Sequence, residues 1–285
     1  MFLYLDGEIN NPVTVEVNVT QWPDVATGLR KVQSTENEYF AEDFDVLYDS
    51  PFLIGELEEL PAFEVKGVNH RFIGYQMGEF DRDLFMRNLK KVVESSVEIM
   101  RDIPFEEYTF IAIGPGRGGI EHLNNTTVSF DGKQLDDHDG MIRMMNFLAH
   151  EYFHHYNVKR IRPFELGPFE YDKGTKTNLL WVSEGLSVYF EYLITRRGGL
   201  MDEKELFKNL ESNINEFEND PGKEHQSLVE ASFATWGDGP FGTLGKGPDL
   251  SISYYAKGPV VGMLLDFAIR GATENQQSLD GVMRR

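Results

Sequence analysis

The pentapeptide His150-Glu151-Tyr152-Phe153-His154, set in the apolar-periodic run Met144-Met145-Asn146-Phe147-Leu148-Ala149, constrains this chain more than any other stretch. Residues four apart on a helix are separated by about 40° around its axis, so two imidazoles leave one face while Glu151 points beside them. Two neutral nitrogen donors next to a carboxylate suit metal-assisted hydrolysis, in which the carboxylate takes a proton from water without ligating the metal. The same pentapeptide also arises by chance on ordinary surface helices, and the surrounding sequence must decide. A catalytic zinc keeps three protein ligands, so the fold has to bring a third donor from elsewhere. The chain has no cysteine, which excludes disulfides, thiolate ligands and a cysteine nucleophile and leaves histidine and carboxylate as donors.

The first 75 or so residues read as β-rich. Val13, Val15, Val17 and Val19 alternate with polar residues up to Trp22-Pro23, and Phe63 to Gly67 resembles a further strand. Turn groups at Asp6-Gly7, Asn11-Pro12, Thr27-Gly28 and Ser50-Pro51 punctuate this region. From Asp81 the period changes. Leu89, Val93, Val97 and Met100 predict an amphipathic helix that ends before Pro104. Tyr108 to Ile113 and Thr126 to Phe130 predict short strands flanking the glycine-rich turn Gly114 to Gly119. That turn is not a dinucleotide loop, because the chain beyond it is extended and not the helix whose N-terminus would hold a pyrophosphate.

Asp136-Asp137-His138-Asp139-Gly140 has the composition of a second metal site, but its place just before the His150 helix favours an acidic helix start. The His150 helix is expected to reach about Asn157. A second helix is expected from about Leu179 to Gly198-Gly199, a third along Leu206, Leu210, Ile214 and Phe217, and a last one from Tyr254-Tyr255 to Arg270. Val260, Val261, Leu264, Leu265 and Ile269 are the expected core face of the last helix. Gly237 to Pro248 reads as a rim or lid loop.

Glu165, Glu170, Glu184 and Glu191 are the downstream candidates for the third ligand. Glu165 and Glu170 stand in a Pro/Gly loop, which holds a ligand less rigidly than a helix. Glu184 and Glu191 lie two turns apart on one face, so periodicity does not separate them. Glu184 is preferred because its neighbours Ser183 and Gly185 are small and permit close approach to the His150 helix; Glu191 reads as a solvated or salt-bridged carboxylate. No group that orients His150 is assigned, since Val188 stands one turn beyond Glu184, and His155 points away from the metal site.

A formal net charge of −20 argues against nucleic-acid and anionic-membrane partners, and no run is long and apolar enough for a membrane span. No signal-peptide pattern opens the chain, and the compartment stays unassigned. Strand-like Phe2 to Leu5 directly after Met1, and a helical pattern broken off between Asp280 and Arg285, lead us to expect a piece of a longer protein.

Trp181-Val182-Ser183-Glu184-Gly185 after His150-Glu151-x-x-His154 resembles the gluzincin metallopeptidases. Within them, His154-x-Tyr156-Asn157-Val158-Lys159-Arg160-Ile161-Arg162-Pro163 is similar to the glycyl aminopeptidases that usually carry a C-terminal PDZ domain. Gly118-Gly119-Ile120-Glu121-His122 resembles their exopeptidase strand motif, and Tyr255-Ala256-Lys257-Gly258 their tyrosine element. Ala26 to Leu29 and Asp43 to Asp45 resemble the family's N-terminal region. The resemblance implies an α+β chain: a β-rich N-terminal segment over 1–75, then a thermolysin-like gluzincin catalytic domain over 76–285 with a helical C-terminal half. It implies one Zn2+ held by His150, His154 and Glu184, Glu151 as general base, and Tyr255 as oxyanion donor. Glu121 is expected to bind the substrate's free α-ammonium, and Gly118-Gly119 to pair with its backbone. The implied activity is a zinc aminopeptidase favouring Gly or Ala at the N-terminus of a peptide, with a PDZ domain in the full-length protein. The competing readings are an endopeptidase of the same fold, a non-catalytic peptide-binding or scaffold domain, and a zinc hydrolase of a non-peptide substrate.

Overall fold

The computed structural model describes every residue except Met1, Ser34, Glu170, Asp172 and Pro248, so Glu170 as a ligand candidate and the Pro248 end of the expected lid loop lie outside the described residues. The chain forms two compact units, one of residues 1–90 with 103–141, the other of residues 91–102 with 142–285.

In the first unit, strands β1 (Val13–Glu16), β2 (Asp24–Ala26), β3 (Arg30–Lys31) and β4 (Glu38–Ala41) precede a short helix, α1 (Phe44–Tyr48). Asp43 starts α1 by accepting the Val46 N–H at 2.8 Å, which satisfies one of the amides that a helix N-terminus leaves unpaired. Strand β1 keeps only the first half of the valine alternation and pairs antiparallel with β4. Strands β5 (Leu53–Gly55), β6 (Glu58–Val65) and β7 (Val68–Tyr75) come next. Lys66 and Gly67 join β6 to β7 with φ of 49° and 81°, the left-handed pair that a tight hairpin turn demands.

Helix α2 (Arg82–Met100) matches its predicted span. It leads to β8 (Glu107–Ile113), β9 (Gly119–Glu121) and β10 (Asn125–Ser129). The main sheet has the order β6-β7-β8-β10-β9, with β7, β8 and β10 parallel and both outer strands antiparallel, so β9 lies at an edge. Phe72, Phe85 and Phe130 are buried with ring centroids 4.9 to 5.4 Å apart. Each such ring contributes about 1.5–3 kcal/mol by burial, and each pair about 0.5–1.5 kcal/mol more. Ile73 and Ile111 pack instead with Ala26 and Leu53 of the β2 and β5 ribbon and with Leu57 just beyond it.

The rest is helical. Asp137 accepts the Gly140 N–H at 2.6 Å and starts α3 (His138–Phe153), so the acidic cluster serves as a helix start. Helix α3 ends four residues before the predicted Asn157. His154 occupies the closing turn, where Tyr156 and Asn157 both donate to the Phe153 carbonyl. The predicted second helix opens with a π-helical turn at Trp181–Gly185 and only then becomes α4 (Leu186–Arg197). Helices α5 (Glu203–Asn219), α6 (Leu228–Asp238), α7 (Tyr254–Ala272) and α8 (Leu279–Met283) complete the chain. Helix α6 adds to the expected set and shortens the expected loop, and Ser227 and Glu230 form the capping box that announces it.

The buried face of α7 also differs from the expected one. Gly258, Pro259, Gly262 and Asp266 are buried, whereas Leu264 and Leu265 are 57% and 40% exposed. A Cβ on Gly258 would stand 2.6 Å from the Gly185 Cα, so α7 meets the π turn backbone to backbone through two glycines. Close approach of main chains rewards the smallest residues, which inverts the usual rule that the large apolar face is the buried one.

Candidate active site

Three donor atoms converge at the end of α3. His150 Nε2 and His154 Nε2 are 2.8 Å apart, and Glu184 Oε2 lies 3.3 and 3.2 Å from them. Ligands about 2.0–2.2 Å from a tetrahedral centre are separated by roughly 3.3 Å, so the set fits a zinc-sized cation. Among the described residues this is the sole group of three or more metal-ligating side chains so arranged. Glu165, the other described candidate from the loop, instead accepts a hydrogen bond from the Thr177 hydroxyl.

The carboxylates and imidazoles also perturb one another's titration. Burial raises the Glu184 carboxyl, but the neighbouring His154 and His150 more than offset it and hold the group well below the usual carboxylate range. Burial lowers His150, and its hydrogen bonds with Glu184 and Glu191 overcome this and lift it well above the imidazole value. Two buried carboxylates around two imidazoles call for positive charge at their centre.

Each of the two imidazoles has a partner at its Nδ1 atom. The Glu191 carboxylate lies 3.0 Å from His150 Nδ1, and the Asn157 carbonyl lies 3.0 Å from His154 Nδ1. Contacts of this kind set the tautomer and orientation of a ligating histidine. Glu191 is thus the carboxylate partner of His150 that the sequence leaves unassigned; of the two readings given for it, solvated or salt-bridged, the structure shows the paired one. The one sequence signal for it is that Glu191 shares a helix face with Glu184 two turns away. Burial holds the Glu191 carboxyl above its ordinary value, with His150 opposing.

Glu151 comes directly after His150 on α3 and is 5% exposed. The Tyr255 ring, on α7, is 6.2 Å from the His150 ring and 5.2 Å from that of Phe241. The other residues of the tyrosine element hold α7 in place: Lys257 Nζ sits 5.3 Å over the Phe217 ring of α5, and Gly258 meets Gly185. The basic stretch after His154 anchors the closing turn, with Tyr156 donating to the Asp102 carbonyl and Arg160 bonded to the Asp102 carboxylate at 2.7 Å.

Gly118, Gly119 and Glu121 belong to the other compact unit. Gly118 has φ +92°, Gly119 opens edge strand β9, and Glu121 closes it opposite Thr126. The adjacent His122 packs against the Asp49 carboxylate at 3.3 Å.

The sequence model of the M61 glycyl aminopeptidase family matches residues 143–261, and that of the M61 peptidase N-terminal domain matches residues 1–56. The chain belongs to the M61 glycyl aminopeptidase family. A crystal structure of an aminopeptidase N family protein from Idiomarina loihiensis matches this M61 chain with TM-score 0.91 and 28% identity, covering 98% of this chain and 50% of that one. The M61 chain therefore spans half the length of that relative. Yeast LTA4 hydrolase in complex with bestatin (TM-score 0.55, 17% identity, 96% of this chain and 39% of that one) shares the fold. So does an M1 zinc metallopeptidase from Deinococcus radiodurans (TM-score 0.53, 14% identity, 93% and 53%). No curated protein matches the chain. The fold is the expected α+β one, a β-rich N-terminal part followed by a gluzincin-type peptidase fold with a helical C-terminal half. No helix among the described residues is long and apolar enough to cross a membrane.

Proposed function

We propose that this M61 chain is the catalytic part of a zinc aminopeptidase that removes small residues, Gly or Ala, from peptides with a free N-terminus. The convergence of His150 Nε2, His154 Nε2 and Glu184 Oε2 beside Glu151 carries the reading. His150, His154 and Glu184 would hold a single zinc ion, which when bound would supply Lewis-acid polarisation of the scissile carbonyl and of the attacking water. Glu151 takes the proton from that water and delivers it to the leaving amine, so one carboxylate serves as base and then as acid. Tyr255 donates a hydrogen bond to the developing oxyanion, a contact worth roughly 3–4 kcal/mol where it has been removed from other enzymes. Its place against His150 supports that role. Glu121 receives the substrate α-ammonium, and the edge of β9 at Gly118-Gly119 pairs with substrate backbone; the position of β9 at the end of the sheet order and the strongly acidic balance of the chain support this.

The test compares a glycyl or alanyl peptide with its N-acetylated twin, using wild type and Glu151→Gln. Expected are cleavage of the free-amine peptide alone and a loss of roughly 10²–10⁴-fold in kcat for Glu151→Gln. Equal cleavage of the two peptides would transfer the chain to the endopeptidases. Unchanged hydrolysis by Glu151→Gln in a preparation free of other proteases would remove the mechanism.

A further inference from the structure

Asn157 is fully buried three residues past His154, where the histidine helix closes. Its side-chain Nδ2 donates to the carbonyls of Val182 at 2.9 Å and Ser183 at 3.0 Å and lies 3.1 Å from Ser187 Oγ. Its main-chain carbonyl meets His154 Nδ1 at 3.0 Å, where Ser187 Oγ also lies at 3.4 Å. One residue thus reaches both ligand-bearing segments: the backbone aims His154, and the side chain grips the turn that carries Glu184.

That turn is π-helical. Its i→i+5 pattern is rare and appears mostly as single turns in α-helices, frequently at functional sites. The two carbonyls that Asn157 takes belong to the residues immediately before Glu184, and Ser187 Oγ donates to the Ser183 carbonyl as well, at 2.7 Å. A carboxamide suits the position because its NH2 offers two donors to a pair of adjacent carbonyls. Leucine has nearly the same shape and offers none.

We propose that Asn157 is a positioning residue of the metal centre: its amide pins the π turn in the form that brings the Glu184 carboxylate onto both imidazoles. This rests on the metal-binding reading of the site. Without the amide the turn relaxes toward regular α-helix, and Glu184 swings about the helix axis away from His150 and His154.

The experiment uses the whole chain as wild type, Asn157→Leu, Asn157→Ser, Glu184→Gln and the Asn157→Leu/Glu184→Gln double variant. Zinc affinity is measured by competition with a chromophoric chelator, the visible spectrum is recorded after loading with cobalt(II), and thermal melting of the metal-free chain checks folding. Asn157→Leu is expected to weaken zinc binding about 10–100-fold, as loss of a group that orients a ligand does. Its cobalt spectrum is expected to move toward that of Glu184→Gln. In the Glu184→Gln background the same substitution should cost less than about threefold, because the two residues act through one contact. Asn157→Ser, which keeps one donor, should fall between wild type and leucine, and it carries the comparison if the leucine variant does not fold.

Wild-type zinc affinity and cobalt spectrum in either folded Asn157 variant overturn the proposal. So does an undiminished loss in the Glu184→Gln background, which assigns Asn157 a role in folding alone. A wild-type chain that takes up no zinc removes the metal-binding reading itself, an outcome distinct from the other two.

Discussion

Replacement of Gly258 by alanine tests how α7 brings Tyr255 to the site. The new Cβ would stand 2.6 Å from the Gly185 Cα and 3.4 Å from the Trp181 carbonyl oxygen. Main-chain atoms cannot rotate out of the way. Carbon atoms rest about 3.5–4.0 Å apart, so α7 and the π turn must separate by roughly 1 Å. Pro259 stands directly after and adds to the cost, since a residue with a Cβ before proline resists helical dihedrals. Overpacking of this kind costs about 1–3 kcal/mol, which lowers the melting temperature by a few degrees per kcal/mol at this size. Tyr255 lies one helical turn before Gly258 on the same face, and a displacement of about 1 Å at a reacting group lowers a rate by roughly 10²-fold. Gly258→Ala is therefore expected to melt several degrees low and to lose kcat on a glycyl peptide more than it changes KM.

Two controls bracket it. At Gly262 a Cβ meets Leu186 Cδ2 at 2.9 Å, a side-chain tip that can turn aside, and at Gly271 it meets nothing within 4 Å. Gly262→Ala should cost less than Gly258→Ala, and Gly271→Ala should stabilise α7 by up to about 1 kcal/mol through helix propensity. Calorimetry and steady-state kinetics on the three variants decide. If Gly258→Ala melts with Gly271→Ala and keeps its kcat, the glycine contact does not set the position of α7.

Glu191→Gln keeps the shape and removes the charge beside His150 Nδ1, and zinc affinity should fall about 10–100-fold with the fold intact; an unchanged affinity by chelator competition would discard the orienting role of Glu191. His70 gives a pH signature in the first unit. Its ring is fully buried against Phe63 and Tyr108, and burial lowers it from 6.5 to about 4 against the opposing pull of the Val68 carbonyl. Between those values the unfolded chain binds a proton that the folded chain refuses, so the contribution is complete above pH 6.5 and is lost as pH falls toward 4. The loss reaches about 3 kcal/mol. His70→Phe should narrow the difference in urea stability between pH 7 and pH 4.5 by most of that amount, and an unaltered difference would refute it. Ser227→Ala removes the reciprocal cap of α6 and should cost about 1 kcal/mol; urea unfolding midpoints that coincide with wild type would show the cap to be idle.

Much of the candidate site is legible in the amino-acid sequence. His150, Glu151 and His154 come from helical spacing, and Glu184 is favoured over Glu191 because its small neighbours allow close approach. The close approach that Gly185 makes is to another helix than the expected one, Gly258 of α7 and not the His150 helix. The span of α2 and the extended chain after Gly119 are also readable, because each rests on a local period. The role of Glu191 is not. Sharing a helix face with Glu184 says that both point one way, and it does not say which will meet an imidazole edge and which the site's centre.

The N-terminal valine run and the last helix show the same limit. Alternation through Val19 predicts a longer strand, but β1 stops at Glu16, where its pairing with β4 ends. In α7 the large residues form the more apolar stripe, yet Leu264 and Leu265 face outward.

Local sequence thus determined the long helices and which side chains share a face, since backbone geometry alone sets those periods. Only the tertiary structure decided which face is buried, why the turn at Glu184 is π-helical, and how Asn157 and Glu191 come to serve the two histidines. Those outcomes depend on how closely one segment can approach another far along the chain, and that distance is set by steric contact between them, as at Gly185 and Gly258.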